Sequence, residues 1–141
     1  MIEIAQIPLS QIAAIPAGKV VQTSGSAVLI TAPAQWSYSA AAVFELPQIE
    51  SHACAVTIRL HVQRGELGVG WLDRDDSAWI ARALVADTSA PAVVSLLIPQ
   101  NTVGGRLVFD NATEGGRPAV ALIRSITIEG AEVPASEQIA S

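Results

Sequence analysis

Apolar and polar residues alternate over much of this chain. From residue 54 to 62 the even positions Cys54, Val56, Ile58, Leu60 and Val62 are apolar, with Thr57, Arg59, His61 and Gln63 between or beside them. A period of two over that length predicts a strand with one face on a core and the other in water. Gly65 then supplies a tight turn into the returning strand of a hairpin, Glu66-Leu67-Gly68-Val69-Gly70-Trp71-Leu72. Residues 36–46 alternate in the same way. Trp36, Tyr38, Ala40, Ala42, Phe44 and Leu46 share one parity, which assigns Trp36 and Tyr38 to the core with Phe44, and Pro47 ends the run. Further strands are predicted at 28–31, 93–98, 106–110 and 119–129. Turn chemistry separates them at Ser24-Gly25-Ser26, Asp73-Arg74-Asp75-Asp76, Ser89-Ala90-Pro91, Gly104-Gly105 and Gly115-Gly116.

Three segments are ambiguous. Residues 77–86 (SAWIARALVA) carry good helix formers, with Asp76 or Ser77 as a cap, but the stretch is short and lies among strands, so we read it as a strand. Residues 10–15 read as one helical turn or an edge strand. In 119–129, Val120, Leu122, Ile126 and Ile128 share a parity that would carry Arg124 onto the core face. Either a bulge near Ile123 shifts the register, or Arg124 points inward and finds a carboxylate. Many short strands without a convincing long helix predict an all-β fold, an antiparallel sandwich or barrel.

The length of 141 residues suits one domain with a sizeable core. We expect it over residues 1–129, with 130–141 (GAEVPASEQIAS) a loosely held tail or the start of a linker. Half the residues are hydrophobic, only 15% are charged and the mean hydropathy is +0.42, which excludes a self-repelling disordered coil. The longest uncharged stretch, 20–44, is broken by polar residues, Gly25 and Pro33 and lacks the roughly 20 apolar residues needed to cross a bilayer, so no membrane span is expected. Net charge is −5, and the basic residues, arginines apart from Lys19, are scattered; nucleic-acid binding lacks its electrostatic driving force. The N-terminus shows no basic segment followed by a long apolar run, so the expected location is cytoplasmic. Cys54, alone and within an apolar alternation, reads as a buried, inert thiol.

Catalytic motifs are missing: no GxSxG, HExxH, CxxC or Walker loop is present, and Gly68-Val69-Gly70 has no helix after it for a phosphate to cap. His52 and His61 fall on opposite faces of a strand and cannot share a metal from it. Asp73, Asp75 and Asp76 place three carboxylates in one turn, a candidate structural calcium site, although the spacing is not that of an EF-hand and an acidic turn is usually just a solvated one. Asp110, Asn111 and Glu114 form a second, weaker oxygen cluster. The functional signal lies in the aromatics, three tryptophans, one tyrosine and two phenylalanines. Sugars stack their C–H faces on exposed Trp and Tyr and bond their hydroxyls to planar Asp, Asn, Gln and Arg groups. Trp71 shares a face with Leu67 and Val69, opposite the bare positions Gly68 and Gly70, which a ligand or a neighbouring strand could approach closely. Trp79 follows the acidic turn and is the aromatic most readily assigned to the surface.

Taken in order, Trp36-Ser37-Tyr38, Gly65-Glu66-Leu67-Gly68-Val69-Gly70-Trp71-Leu72, Asp76-Ser77-Ala78-Trp79-Ile80 and Leu107-Val108-Phe109-Asp110-Asn111 resemble a family. They look like the jelly-roll, carbohydrate-binding-module-like domains attached to bacterial glycosyltransferases and FkbM-type methyltransferases, over residues 36–129. Asp110 departs from the pattern, standing where that family would have an arginine before the asparagine. The resemblance implies a jelly-roll sandwich, a non-catalytic accessory role and association with glycan biosynthesis. The leading expectation is therefore a module that binds carbohydrate through Trp79, Trp71, Arg82, Asp110 and Asn111, beside a glycan-processing enzyme. Its rival is a protein-interaction or self-assembly sandwich, forming a homo-oligomer through an outward patch of Ala41, Val43 and Leu72. A minor third reading is a small hydrolase using Asp75 and Asp76.

Overall fold

The computed structural model describes residues 2–46 and 54–130. Among them eleven strands form: β1 (Ile2–Ile7), β2 (Ile12–Ala14), β3 (Lys19–Thr23), β4 (Ser26–Ile30), β5 (Tyr38–Ala42), β6 (Cys54–Arg64), β7 (Glu66–Leu72), β8 (Trp79–Ala86), β9 (Ala92–Ile98), β10 (Arg106–Asn111) and β11 (Val120–Gly130). One sheet has the order β3-β4-β11-β6-β9, with β1 pairing along the second half of β11; the other has the order β2-β5-β10-β7-β8. Every pairing is antiparallel, and the two sheets make a jelly-roll-like sandwich. The chain is all-β, as its period-two runs predict. His52 and the tail reading, Gly130 apart, lie outside the described residues.

The core is filled from alternate positions of the central strands. Ile58 and Leu60 of β6 and Ile126 and Ile128 of β11 meet Leu67, Val69 and Trp71 of β7 and Leu107 and Phe109 of β10. Each such side chain contributes about 1.5–3 kcal/mol by leaving water. Phe44 packs edge-on against Trp71 at 5.2 Å between centroids, and Trp71 Nε1 donates to Gly104 O, so the largest core residue has its polar atom satisfied. The expected strand 77–86 forms from Trp79 onward. Residues 10–15 hold both options in succession, a 3-10 turn at Leu9–Gln11 and then the edge strand β2. β11 takes the bulge: its register shifts between Ile123 and Ser125, so Arg124 turns out to solvent while Ile123 and Ile126 both stay buried.

Two expectations from parity fail for local reasons. Trp36 is not in the core. It precedes β5 in a left-handed turn at φ 67° and leaves 51% of its surface exposed. Tyr38 leaves the core parity because β5 slips against β10 between the Phe109 and Asp110 pairings, which carries Tyr38 to the outer face. The Ala41, Val43 and Leu72 patch is also not a surface. Only Val43 is exposed; Ala41 and Leu72 are buried with Val108 beneath Tyr38 and Trp79.

Cys54 is buried at the start of β6, and burial pushes its thiol pKa up. The thiolate is the nucleophile, so a native-state thiol reagent should label this protein at least about a hundredfold more slowly than in denaturant. Equal rates in the two conditions would show that β6 opens readily at this end.

Candidate functional site

The outer face of the β2-β5-β10-β7-β8 sheet gathers most of the side chains with ligand chemistry. Residues at alternate positions of β7, β8 and β10 that point away from the core include Gly68, Gly70, Arg82, Leu84 and Asp110, since β7 pairs Gly68 with Asp110 on one side and with Leu84 on the other. Asp110 is 1% exposed, and its Oδ2 accepts from Arg82 Nη2 at 2.7 Å. An isolated carboxylate at that depth would be strongly unfavourable, and Arg82 is the partner that meets Asp110 on the sheet. Gly68 is required beneath this pair, because any Cβ there would collide with Asp110 Oδ1 and with the Arg82 guanidinium.

Arg82 is covered by two indoles. Its guanidinium carbon lies 4.4 Å from the Trp79 ring centroid and 5.5 Å from that of Trp36, both within cation–π range. Trp79 lies over Gly70, where a Cβ would come within 2.5 Å of its ring, and meets Tyr38 edge-on at 5.6 Å. The glycines thus make room for the chain's own Asp110, Arg82 and Trp79, and the bare patch expected opposite Trp71 is filled from within. One donor and one acceptor in this layer, Arg82 Nη1 and Asp110 Oδ1, are buried without a partner.

Trp36 completes the arrangement. Its backbone N–H donates to Asn111 O, Asn111 N donates to Ser37 O at 3.2 Å, and Ser37 Oγ donates to Ala34 O at 2.6 Å. These bonds hold a bulky residue at positive φ, a conformation that costs about 1–2 kcal/mol and persists only where neighbours enforce it. The outcome is an indole with one face toward Arg82 and half its surface in water.

The residues expected to bind ligand therefore divide. Trp79, Arg82 and Asp110 come together. Trp71 faces the opposite way, fully buried, because its parity is that of Leu67 and Val69; no ligand can stack on it without opening the core. Asn111 is likewise fully buried. Its Nδ2 donates to Ala32 O, Pro33 O and Arg117 O at 3.0, 3.1 and 2.8 Å, and its Oδ1 accepts from Thr113 N, so its hydrogen-bonding capacity is spent on the loops flanking β10. Asn111 builds the site's edge and offers a ligand nothing. Trp36 is the residue that strand parity misassigned. The signal that identifies it is the Ala34–Ser37 turn, in which no alternation applies.

The acidic turn does not converge on a cation. Asp73 accepts from Ser77 N and Ser77 Oγ at 2.7 and 2.6 Å, and these bonds lower its pKa. Asp76 pairs with Arg106 at 3.2 Å. Among the described residues no three His, Cys, Asp or Glu groups stand together as metal ligands; Asp73 caps its own turn and Asp76 faces Arg106. His61, expected on the solvated face, donates through Nε2 to Thr88 O at 2.7 Å and pins the β8–β9 connection.

At the end of the sandwich next to Trp36, two grooves of about 450 and 460 Å³ share Gly65, Asp87 and Thr113. Trp36, Gln35 and Glu66 line one of these adjacent grooves; Arg64 and Arg117 line the other.

No protein-family model and no curated protein sequence matches the chain. Solved structures do resemble it. A structure described as "CBM4 structure and function" aligns with a TM-score of 0.60 at 10% identity, over 81% of this chain and 78% of that one. The carbohydrate-binding module CBM6cm-2 from Cellvibrio mixtus lichenase 5A, in complex with cellotriose, aligns at 0.59 and 10% identity over 93% and 100%. The CBM22-1–GH10 modules of Clostridium thermocellum xylanase 10B, complexed with xylohexaose, align at 0.63 and 11% identity, over 92% of this chain but 29% of that one. At these identities the likeness is one of fold: the chain has the β-sandwich of carbohydrate-binding modules.

Proposed function

We propose that this domain is a non-catalytic carbohydrate-binding module whose recognition surface is centred on Trp36. The observation that carries the reading is a tryptophan kept half exposed at a strained φ, backed by a guanidinium that a buried carboxylate holds in place. A folding protein gains nothing from that strain, and an aromatic face fixed in water is what a sugar ring stacks on. Trp79 also covers Arg82 and is met edge-on by Tyr38. The carbohydrate-bound neighbours add fold-level support. Such a module acts by holding a glycan near a catalytic partner, a glycan-assembling enzyme of the cytoplasm if the resemblance to glycosyltransferase-attached domains extends to context.

The test is a fluorescence titration with cellohexaose, xylohexaose and a broad glycan panel. Trp36 is the most exposed of the three tryptophans, so a bound sugar should change the emission with saturation at micromolar to millimolar concentration. A folded protein giving no response to any glycan at millimolar concentration would remove the proposal.

A further inference from the structure

The groove adjoining that of Trp36 across Gly65, Asp87 and Thr113 is lined by two arginines, and they differ from the arginine inside the platform. Arg82 is bound to Asp110. Arg64 and Arg117 are exposed, and among the described residues no carboxylate lies within 4.0 Å of either guanidinium. The polar groups around them are already engaged: Asp87 Oδ2 accepts from Gly65 N at 3.1 Å, and Thr113 Oγ1 accepts from Glu66 N at 2.8 Å. Pro118 offers no N–H. The groove here holds two guanidinium groups against the single carboxylate of Asp87.

Their supports are rigid. Arg64 ends β6 opposite Val120 of β11, and the carbonyl of Arg117 is held by buried Asn111. Two forked donors set on fixed backbone can form bidentate bonds with a planar carboxylate. The Trp36 groove carries Glu66 and Glu114 and no arginine, while Asp87 lines both grooves, so the Trp36 side is net negative and the arginine side net positive. An anion is therefore directed to the arginine end, with the uncharged, hydroxyl-rich part of the ligand toward Trp36.

We infer that Arg64 and Arg117 form a subsite for the carboxylate of an acidic sugar residue, so that the preferred ligand is a uronic-acid-containing oligosaccharide reaching from Trp36 to this pair. The inference rests on the carbohydrate-binding reading and adds a ligand class to it. A hexamer of galacturonic acid and neutral cellohexaose, titrated in parallel at low salt, separate the two. The uronate hexamer should bind more tightly, weaken as salt shortens the screening length, and lose about tenfold in affinity in Arg64→Gln/Arg117→Gln. Cellohexaose should bind that variant as it binds wild type. Unchanged uronate affinity in the double variant, or cellohexaose binding without uronate binding, would overturn the subsite and leave the neutral-sugar platform standing. Failure of both hexamers and of the wider panel would overturn both.

Discussion

Asp110→Ala is expected to lower stability by about 3 kcal/mol, the cost of leaving a largely covered arginine without its counter-charge. Against a total of about 5–15 kcal/mol for a domain, that is a large fraction, and the melting temperature should fall by roughly 10 °C. The loss has two sources. Arg82 keeps its two indole neighbours and cannot recover full hydration, and the space left above Gly68 is lined by groups that were in contact with the carboxylate. Asp110→Asn should cost less, about 1–2 kcal/mol, because an amide oxygen can still accept from Arg82. The glycine beneath supplies the sharper check. Gly68→Ala should destabilise wild type strongly, since its Cβ meets Asp110 Oδ1, yet should cost little when Asp110 is already alanine. Calorimetry on the double-mutant cycle measures this coupling. Additive losses would mean that the carboxylate and Gly68 do not share that space.

The fold was readable because a sandwich writes itself into alternation. β6, β7 and β10 each commit one parity to the core, and the intervening glycine and aspartate turns fall where the strands end. What escaped was of two kinds. β1 and β3 carry little contrast between faces: β3 is exposed at nearly every position, so its sequence lacks the pattern that marks a buried strand. Elsewhere the period itself changes. A bulge was legible in β11, where keeping strict parity would have buried Arg124. The slip in β5 was not, because alanines and serines on both faces leave no conflict to notice. The same blandness carried Trp36 into a core assignment.

The site was legible by residue type and not by direction. Arg82, Asp110 and Trp79 were expected to act together, and they do lie together, but bound chiefly to one another, with Arg82 Nη1 and Asp110 Oδ1 left without partners. The departure at Asp110 from the resembled family acquires a physical role here, since a carboxylate at that position is what Arg82 requires. Asn111 was expected to meet ligand and instead binds three carbonyls of its own chain. Polar residues next to aromatics announce a polar cluster; whether it faces a ligand or the protein depends on neighbouring strands that sequence does not align.

Trp36→Ala should separate binding from folding more cleanly than any other substitution in this protein. The indole contributes a cation–π contact with Arg82 of about 0.5–1 kcal/mol. Its backbone, at φ 67°, imposes a cost of about 1–2 kcal/mol that alanine still bears. Stability should therefore change by about 1 kcal/mol or less. Trp36→Gly should be the more stable of the two variants, because glycine takes up positive φ without the steric penalty. Glycan affinity should respond quite differently. A central aromatic removed from a recognition surface costs about 2 kcal/mol, roughly thirtyfold in Kd, and both variants should lose it alike. Wild-type affinity in a folded Trp36→Ala protein would dismiss Trp36 as the platform. A melting temperature lowered by more than about 8 °C would instead make the indole a structural cover for Arg82, at odds with a residue that leaves half its surface in water.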